Sequence, residues 1–159
     1  MIEVQDGLYV GNETDCRVGD DEWAVVHACK SPCHQRAVGY RGSLSQDHPH
    51  YLVFNQGTDL YLNLIDPPIP LFMTESFTSF LVFAQAQLNE GRNILIHCNQ
   101  GESRAPSLAL LFLAKIVGSI SNESYEAARS DFKALFTGYY PGKGIQKYLS
   151  DNWSDFDDF

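Results

Sequence analysis

The sequence predicts one α/β domain in which a central, mostly parallel sheet of about four to five strands is flanked by helices. Short apolar runs with strand character alternate along the chain with longer stretches whose apolar residues recur at helical spacing. The 159 residues are 44% hydrophobic and 19% charged, which is the balance of a folded globular domain. We place the domain at residues 1–150 and regard residues 151–159 as an acidic and aromatic tail.

Five segments have the composition of strands. Each is short, rich in apolar and β-branched residues and followed by a polar, Gly or Pro residue. They are residues 7–12, 23–29, 51–54, 60–65 and 93–96. The second segment is apolar almost throughout, which is typical of a strand buried on both faces in the middle of a parallel sheet.

Four helices follow from apolar spacing and end signals. The first begins near Thr74 and ends near Gly91. The second, residues 105–117, is apolar on nearly every side, so it is expected in the middle of the domain. The third begins near Ser121 and stops before Gly138, and the last ends near Leu149. The tail that follows is expected to fray, with a short docking peptide as the alternative.

Charge and composition limit the partners. The formal net charge is −9, whereas nucleic acids and anionic membranes require a basic surface, so neither is expected as a partner. The first residues lack the features of a signal peptide, and no apolar run reaches the roughly 18 residues of a membrane span. Four cysteines do not form a secreted disulfide framework. We therefore expect a cytoplasmic monomer.

The segment His97–Pro106 carries the chemistry. It lies between the strand 93–96 and the apolar helix, so a loop opens into a helix N-terminus there. Such a loop presents unpaired backbone N–H groups, and the helix dipole adds positive potential, so the loop suits a phosphate. The same field favours the thiolate form of a cysteine at its base. Cys98 is therefore predicted to be a nucleophile.

The other loop residues fit the same interpretation. Arg104 offers a planar fork of donors that can grip two phosphate oxygens, which lysine cannot match. Gly101 suits a tight loop, and Pro106 suits a first helical turn. The predicted phosphate-binding residues are Asn99, Gln100, Gly101, Glu102, Ser103 and Arg104.

At His97, Cys98, Gly101 and Arg104 the chain resembles the cysteine-dependent dual-specificity protein phosphatases, whose signature is HCxxGxxR. The resemblance implies that family's α/β fold, no metal or other cofactor, and hydrolysis of phosphate monoesters through a phosphocysteine. Weaker similarities lie at Gly7–Asn12 and at Tyr139–Ile145. The side chains of the loop are not basic, so a phosphorylated protein or peptide is expected as substrate rather than a phosphoinositide or RNA.

The leaving group of such a reaction needs a proton, which a carboxylic acid across the cleft can supply. The resemblance places that acid in a loop after a strand and upstream of the cysteine. Asp66 follows the strand 60–65 and precedes two prolines, so it is the predicted general acid. Asp59 and Glu75 are the rival candidates.

Ala105 departs from the family pattern. Most relatives have Ser or Thr after the arginine, and that hydroxyl helps the cysteine leave when water attacks the phosphoenzyme. The run Arg104-Ala105-Pro106 is similar to the phosphatases of regenerating liver, which share the alanine. We expect slow turnover, and the alternative function is a catalytically weak module that captures phosphorylated partners. A third function, arsenate reduction or sulfur transfer, would need a resolving thiol near Cys98, and Cys16, Cys29 and Cys33 are too distant in the sequence to assign one of them that role.

Two further groups of residues could in principle form sites. His27, Cys29, Cys33 and His34 are two imidazoles and two thiols within eight residues, but their spacing does not match the usual zinc motifs. No metal site is predicted there. Arg36 and Arg41 lie in the long segment 30–50 and are expected to be solvated rather than to border the cleft.

Overall fold

A computed structural model describes residues 1–159 and contains one six-stranded sheet in the order β1-β2-β6-β3-β5-β4. Strands β2, β6, β3 and β5 run parallel, and β1 and β4 pair antiparallel at the two edges. The strands are β1 (Ile2–Gln5), β2 (Leu8–Gly11), β3 (Trp23–His27), β4 (Val53–Gln56), β5 (Asp59–Leu62) and β6 (Asn93–His97).

Five helices accompany the sheet. They are α1 (Gln35–Val38), α2 (Thr74–Asn89), α3 (Arg104–Phe112), α4 (Tyr125–Leu135) and α5 (Lys143–Asp151). A π-helical turn, Lys30–His34, precedes α1, and a second one, Leu113–Val117, continues α3. None of these helices combines the length and the apolar character needed to cross a membrane.

The predicted α/β class, with a mostly parallel sheet flanked by helices, is confirmed. The sheet has one strand more than the sequence indicated. Strand β1 was missed because its four residues include two polar ones, and only one of the four is buried. Central strand β3 is buried from Ala24 to His27, and α3 is buried from Ala105 to Phe112, as their apolar sequences predicted.

The two faces of the sheet differ in character. Ile94 and Ile96 of β6, with Ala24 and Val26 of β3, belong to the main apolar core together with residues of α2, α3 and α4. The alternate residues of the same strands point to the second face, because side chains alternate along a strand. That face carries a group of buried polar side chains, with His27 and His97 at the carboxyl ends of β3 and β6 and Asp59 at the start of β5.

The C-terminal segment is packed rather than frayed as far as Phe156. Residues Trp153–Phe156 form a 3-10 turn that places Trp153 and Phe156 in the core. Lys115 Nζ lies 4.3 Å from the centre of the Trp153 ring and 2.5 Å from Asp157 Oδ1. The free energy gained by burying the Trp153 and Phe156 rings keeps this segment packed, although the acidic Asp155 lies between them.

Candidate functional site

Cys98 lies at the base of the loop between β6 and α3. Its side chain is 2% exposed, and its sulfur accepts the backbone N–H of Gly101 at 3.3 Å and that of Ala105 at 3.5 Å. Two amide dipoles therefore point at the sulfur, and the N-terminus of the buried helix α3 lies beside it. Amide N–H groups at a helix N-terminus suit the binding of an anion at this position.

The guanidinium of Arg104 is fixed at the side of the loop. Its Nη1 donates to the carbonyl oxygen of Leu64 at 2.9 Å, and its Nη2 donates to Asn99 Oδ1 at 2.8 Å. Its Nε is buried and has no hydrogen-bond partner. A buried donor without a partner is costly, so this N–H is the kind of group that an anionic ligand would satisfy.

The loop is held by segments that are distant in the sequence. Asn99 Nδ2 donates to the Ser31 carbonyl oxygen at 2.9 Å, and the Glu13 N–H donates to the Asn99 carbonyl oxygen at 3.1 Å. On the other side, the N–H of Tyr140 donates to the Glu102 carbonyl oxygen, and the N–H of Gly142 donates to Ser103 Oγ, each at 2.8 Å. These contacts preorganise the loop.

Gly101 is required by both its conformation and its surroundings. Its φ is +75°, in the left-handed region that favours glycine. A Cβ at this position would lie 2.8 Å from the carbonyl oxygen of Gly11, at the end of β2. The loop therefore packs directly on the neighbouring strand, as expected of the glycine in the sequence signature.

A cleft of about 300 Å³ opens above the sulfur. Its lining includes Asp66, Cys98, Glu102, Arg104 and Tyr140, together with the amide-bearing part of the loop. The structure thus brings together the three residues predicted to act in catalysis. Arg104 is the one cationic side chain of the lining, while Glu102 and Asp66 are acidic and exposed.

The segment that carries Asp66 packs against the start of α5. A Cβ on Gly144 would lie 2.3 Å from the carbonyl oxygens of both Pro67 and Ile69. Only a residue without a side chain allows this approach. The sequence pointed to residues 139–145 as a similarity to the family, but it did not reveal that Gly144 supports the loop of Asp66.

The rival acids lie elsewhere. Asp59 is buried, 5% exposed, and its Oδ1 accepts a hydrogen bond from His27 Nε2 at 2.8 Å. Glu75 is in the first turn of α2 and exposed. Neither lines the cleft. Arg36 and Arg41 line a separate surface depression, in agreement with the expectation that they do not border the cleft.

His97 precedes the cysteine and is fully buried. Its Nε2 lies 2.8 Å from His27 Nδ1. Burial, and secondarily the neighbouring His27, lowers the pKa of His97 to about 4. This imidazole is therefore neutral at neutral pH and adds no positive charge beneath Cys98. Sequence reasoning missed the link from His97 to His27, which depends on strand register.

All four cysteines are free. The Cys98 sulfur takes its two hydrogen bonds from backbone amides rather than from another thiol.

Comparisons with known proteins agree with this architecture. No family model matches the chain, and no curated protein sequence matches it. Among solved structures, DUSP15 superposes with a TM-score of 0.70 at 20% identity, over 99% of this chain and 90% of that chain. Human DUSP28 gives 0.66 at 13% identity, over 99% and 96%.

A third neighbour is the human tyrosine phosphatase-like serine/threonine/tyrosine-interacting protein. It superposes with a TM-score of 0.65 at 18% identity, over 97% of this chain and 95% of that chain. At such low identities the similarity concerns the fold. The chain has the fold of the dual-specificity phosphatases.

Proposed function

We propose that this protein is a cysteine-dependent phosphatase that hydrolyses phosphate monoesters on phosphoproteins, on phosphotyrosine and also on phosphoserine or phosphothreonine. The main support for the proposal is the arrangement of donors at the base of the cleft. There, the Cys98 sulfur accepts two amide N–H groups, and the partnerless Nε of Arg104 belongs to the same lining. Sulfur nucleophile and phosphate-gripping donors thus share one small pocket.

In the first step, the Cys98 thiolate attacks phosphorus, an S–P bond forms and the P–O bond to the leaving group breaks. Asp66 in its acid form gives a proton to the departing oxygen. The loop amides and Arg104 stabilise the negative charge on the transferring group. In the second step, Asp66 takes a proton from a water molecule, and the oxygen of that water attacks phosphorus. The S–P bond breaks, which releases inorganic phosphate and the Cys98 thiolate.

The charge of the cleft supports a substrate with a single phosphate group. One guanidinium lines it, whereas the carboxylates of Glu102 and Asp66 would repel additional phosphates. Near the cleft, the chain exposes the apolar side chains of Ile65 and Ile69, 53% each, and Tyr140, 64%. An apolar rim of this kind fits the side chains of a peptide better than it fits a lipid headgroup.

The experiment is an activity screen with p-nitrophenyl phosphate and with phosphotyrosyl, phosphoseryl and phosphoinositide substrates. We expect Cys98→Ser to abolish hydrolysis and Asp66→Asn to lower kcat on peptide substrates by about 10²- to 10⁴-fold. The matched controls are Cys29→Ser, a buried cysteine outside the cleft, and Glu75→Gln, an exposed acid outside it. Full activity in Cys98→Ser would refute the proposal.

A second candidate is a binding module that captures phosphorylated partners without turnover. It is favoured by Ala105, whose fully buried side chain places no hydroxyl beside the sulfur. One structural neighbour is also named as phosphatase-like and interacting. Under this alternative the wild-type chain binds phosphopeptides, with no more hydrolysis than Cys98→Ser.

A further inference from the structure

Four metal-binding side chains meet on the second face of the sheet. The nitrogens and sulfurs of Cys16, His27, Cys33 and His97 all lie within 4.8 Å of one another. His27 and His97 are register partners on the adjacent parallel strands β3 and β6, so their imidazoles extend side by side from the same face. The thiols come from two separate loops: Cys16 precedes β3, and Cys33 lies in the π-helical turn before α1.

The donor set and its spacing suit one tetrahedral zinc ion. Zn²⁺ in structural sites prefers four Cys and His ligands, with bonds of about 2.3 Å to sulfur and about 2.0 Å to nitrogen. A tetrahedron with these bonds separates two nitrogens by about 3.3 Å and a nitrogen from a sulfur by about 3.5 Å. The structure has His27 Nδ1 and His97 Nε2 at 2.8 Å, and His27 Nδ1 and Cys16 Sγ at 3.6 Å. To admit the ion, the two histidine nitrogens would separate by about 0.5 Å, and the donor pairs that are farther apart, all within 4.8 Å, would draw together.

A second layer of contacts orients one of the imidazoles. His27 Nε2 donates to the buried carboxylate of Asp59 at 2.8 Å, which leaves the lone pair of Nδ1 facing the other three donors. Asp59 is itself held by the backbone N–H of Gly19, 3.0 Å from each of its oxygens. A carboxylate behind a histidine is the usual support of a zinc ligand.

The position of the cluster explains why such an ion would be useful. The residues on this face are not part of the main apolar core, and no long helix carries any of the four donors. A metal at this position would tie the segment around Cys16, the end of β3, the turn 30–34 and the end of β6 together. His97 is the residue before Cys98, so the ion would also brace the strand end that carries the nucleophile.

We propose that Cys16, His27, Cys33 and His97 bind one structural Zn²⁺, with Asp59 as the positioning residue behind His27. These ligands differ from the four neighbouring residues His27, Cys29, Cys33 and His34 that stand out in the sequence, because Cys29 and His34 take no part. His34 instead contacts the Tyr40 hydroxyl at 2.6 Å and the carbonyl oxygen of His50 at 2.8 Å. Cys16 and His97 join from positions that are distant along the chain.

The first test measures the metal content of the full chain after purification and dialysis against zinc. We expect one zinc per chain in wild type, and on replacement by Co²⁺ the absorption bands of tetrahedral cobalt with thiolate-to-metal charge transfer. Zinc-free wild-type protein that takes up neither metal would overturn the proposal. This measurement does not depend on phosphatase activity, so it tests the zinc site independently of the proposed function.

Variants assign the ligands. Cys33→Ser and the exposed Cys16→Ser are each expected to lose stoichiometric zinc and the charge-transfer band, whereas Cys29→Ser and Cys98→Ser retain both. Because Cys16 is exposed, its variant should remain folded even if the buried Cys33→Ser does not. Zinc that persists in Cys16→Ser but is lost from Cys98→Ser would place the metal in the catalytic cleft and contradict the assignment.

The role of Asp59 has its own readout. Asp59→Asn should weaken zinc affinity by about 10- to 100-fold, measured by competition with a chromophoric chelator, while the tetrahedral cobalt spectrum is kept. An unchanged affinity would show that Asp59 does not support the metal site.

Discussion

Arg104 donates a hydrogen bond to the carbonyl oxygen of Leu64, and Leu64 lies two residues before Asp66. The arginine of the phosphate loop is therefore tied directly to the segment that carries the proposed general acid. The second guanidinium bond, to Asn99, fixes the plane of the fork. This arrangement depends on the geometry of a guanidinium and not on its charge alone.

Arg104→Lys tests that dependence. A lysine keeps the charge, but its donors all radiate from one nitrogen, so it cannot hold Leu64 and Asn99 in this geometry and also grip two phosphate oxygens. We expect kcat/KM for p-nitrophenyl phosphate to fall by about 10²-fold or more. Arg36→Lys, at a position outside the cleft, is the control. Near-wild-type kinetics in Arg104→Lys would contradict the proposed role.

Gly144→Ala tests the support of the acid loop. The added methyl group would collide with the carbonyl oxygens of Pro67 and Ile69, so the backbone that carries Asp66 must move. Since misplacing a catalytic group by an ångström is costly, we expect kcat for phosphoseryl peptides to drop about 10- to 100-fold. The loss should be smaller for p-nitrophenyl phosphate, because the departure of its leaving group depends less on protonation by Asp66.

Gly138→Ala is the matched control for this variant, because its methyl group would meet only the Phe136 ring, at 3.4 Å. Thermal unfolding of both variants separates a displaced loop from a destabilised domain. Equal losses on both substrates would argue against a role through the acid.

Ala105→Ser should change the second chemical step. Ala105 is buried, and its N–H already contacts the sulfur at 3.5 Å, so a hydroxyl on its Cβ is added next to the leaving thiolate. A hydrogen bond to a charged sulfur stabilises it, so the phosphocysteine should hydrolyse faster. Rapid-quench experiments with radiolabelled substrate measure the trapped phosphoenzyme. Ala105→Gly, which adds no hydroxyl, should show no acceleration, and equal hydrolysis rates in wild type and Ala105→Ser would refute the prediction.

Tyr139→Phe should destabilise the domain. The Tyr139 hydroxyl is buried between Ser107 Oγ at 2.8 Å and the Tyr125 hydroxyl at 3.0 Å. Removing it leaves two buried polar groups with one partner fewer, at a cost of about 1 to 3 kcal/mol in the free energy of unfolding. Urea denaturation measures this change, and Tyr140→Phe, at the exposed neighbour, should be neutral.

The same tyrosine gives a pH dependence. Burial raises the pKa of Tyr139 well above 10.0, so the folded state favours the neutral phenol. Its contribution to stability is complete below the unfolded pKa of about 10 and decreases as the pH rises above that value. Tyr139→Phe should reduce the loss of stability on the alkaline side, and an unchanged alkaline limb would contradict this assignment.

The parts of the site that were predictable are those encoded locally. Cys98, Gly101 and Arg104 lie within seven residues, and a strand, a loop and a helix N-terminus determine their relative positions. The place of Asp66 beside the cleft follows from its position shortly after β5, because parallel strands end at the same edge of the sheet. Its choice as general acid rested on the resemblance to the dual-specificity phosphatases, whereas Cys98 and Arg104 needed only local spacing.

The remaining features depend on contacts between distant segments. The meeting of His27 and His97 depends on the register of β3 against β6, across 70 residues, and no pattern in either strand reveals it. The role of Gly144 depends on a backbone approach, and glycine is common in turns for other reasons. The tail was misjudged because Trp153 and Phe156 are flanked by acidic residues, and pattern reasoning could not show that α5 directs them into the core.

The phosphate loop accepts hydrogen bonds from Glu13, Tyr140 and Gly142 and donates one to Ser31, so segments from both ends of the chain meet at it. The affinity of the loop for an anion and the global unfolding of the domain are therefore thermodynamically linked. Inorganic phosphate or vanadate that binds only the native chain should raise the midpoint of thermal unfolding in proportion to the logarithm of its concentration. An equal rise of the midpoint in wild type and in Arg104→Lys would show that the anion binds elsewhere.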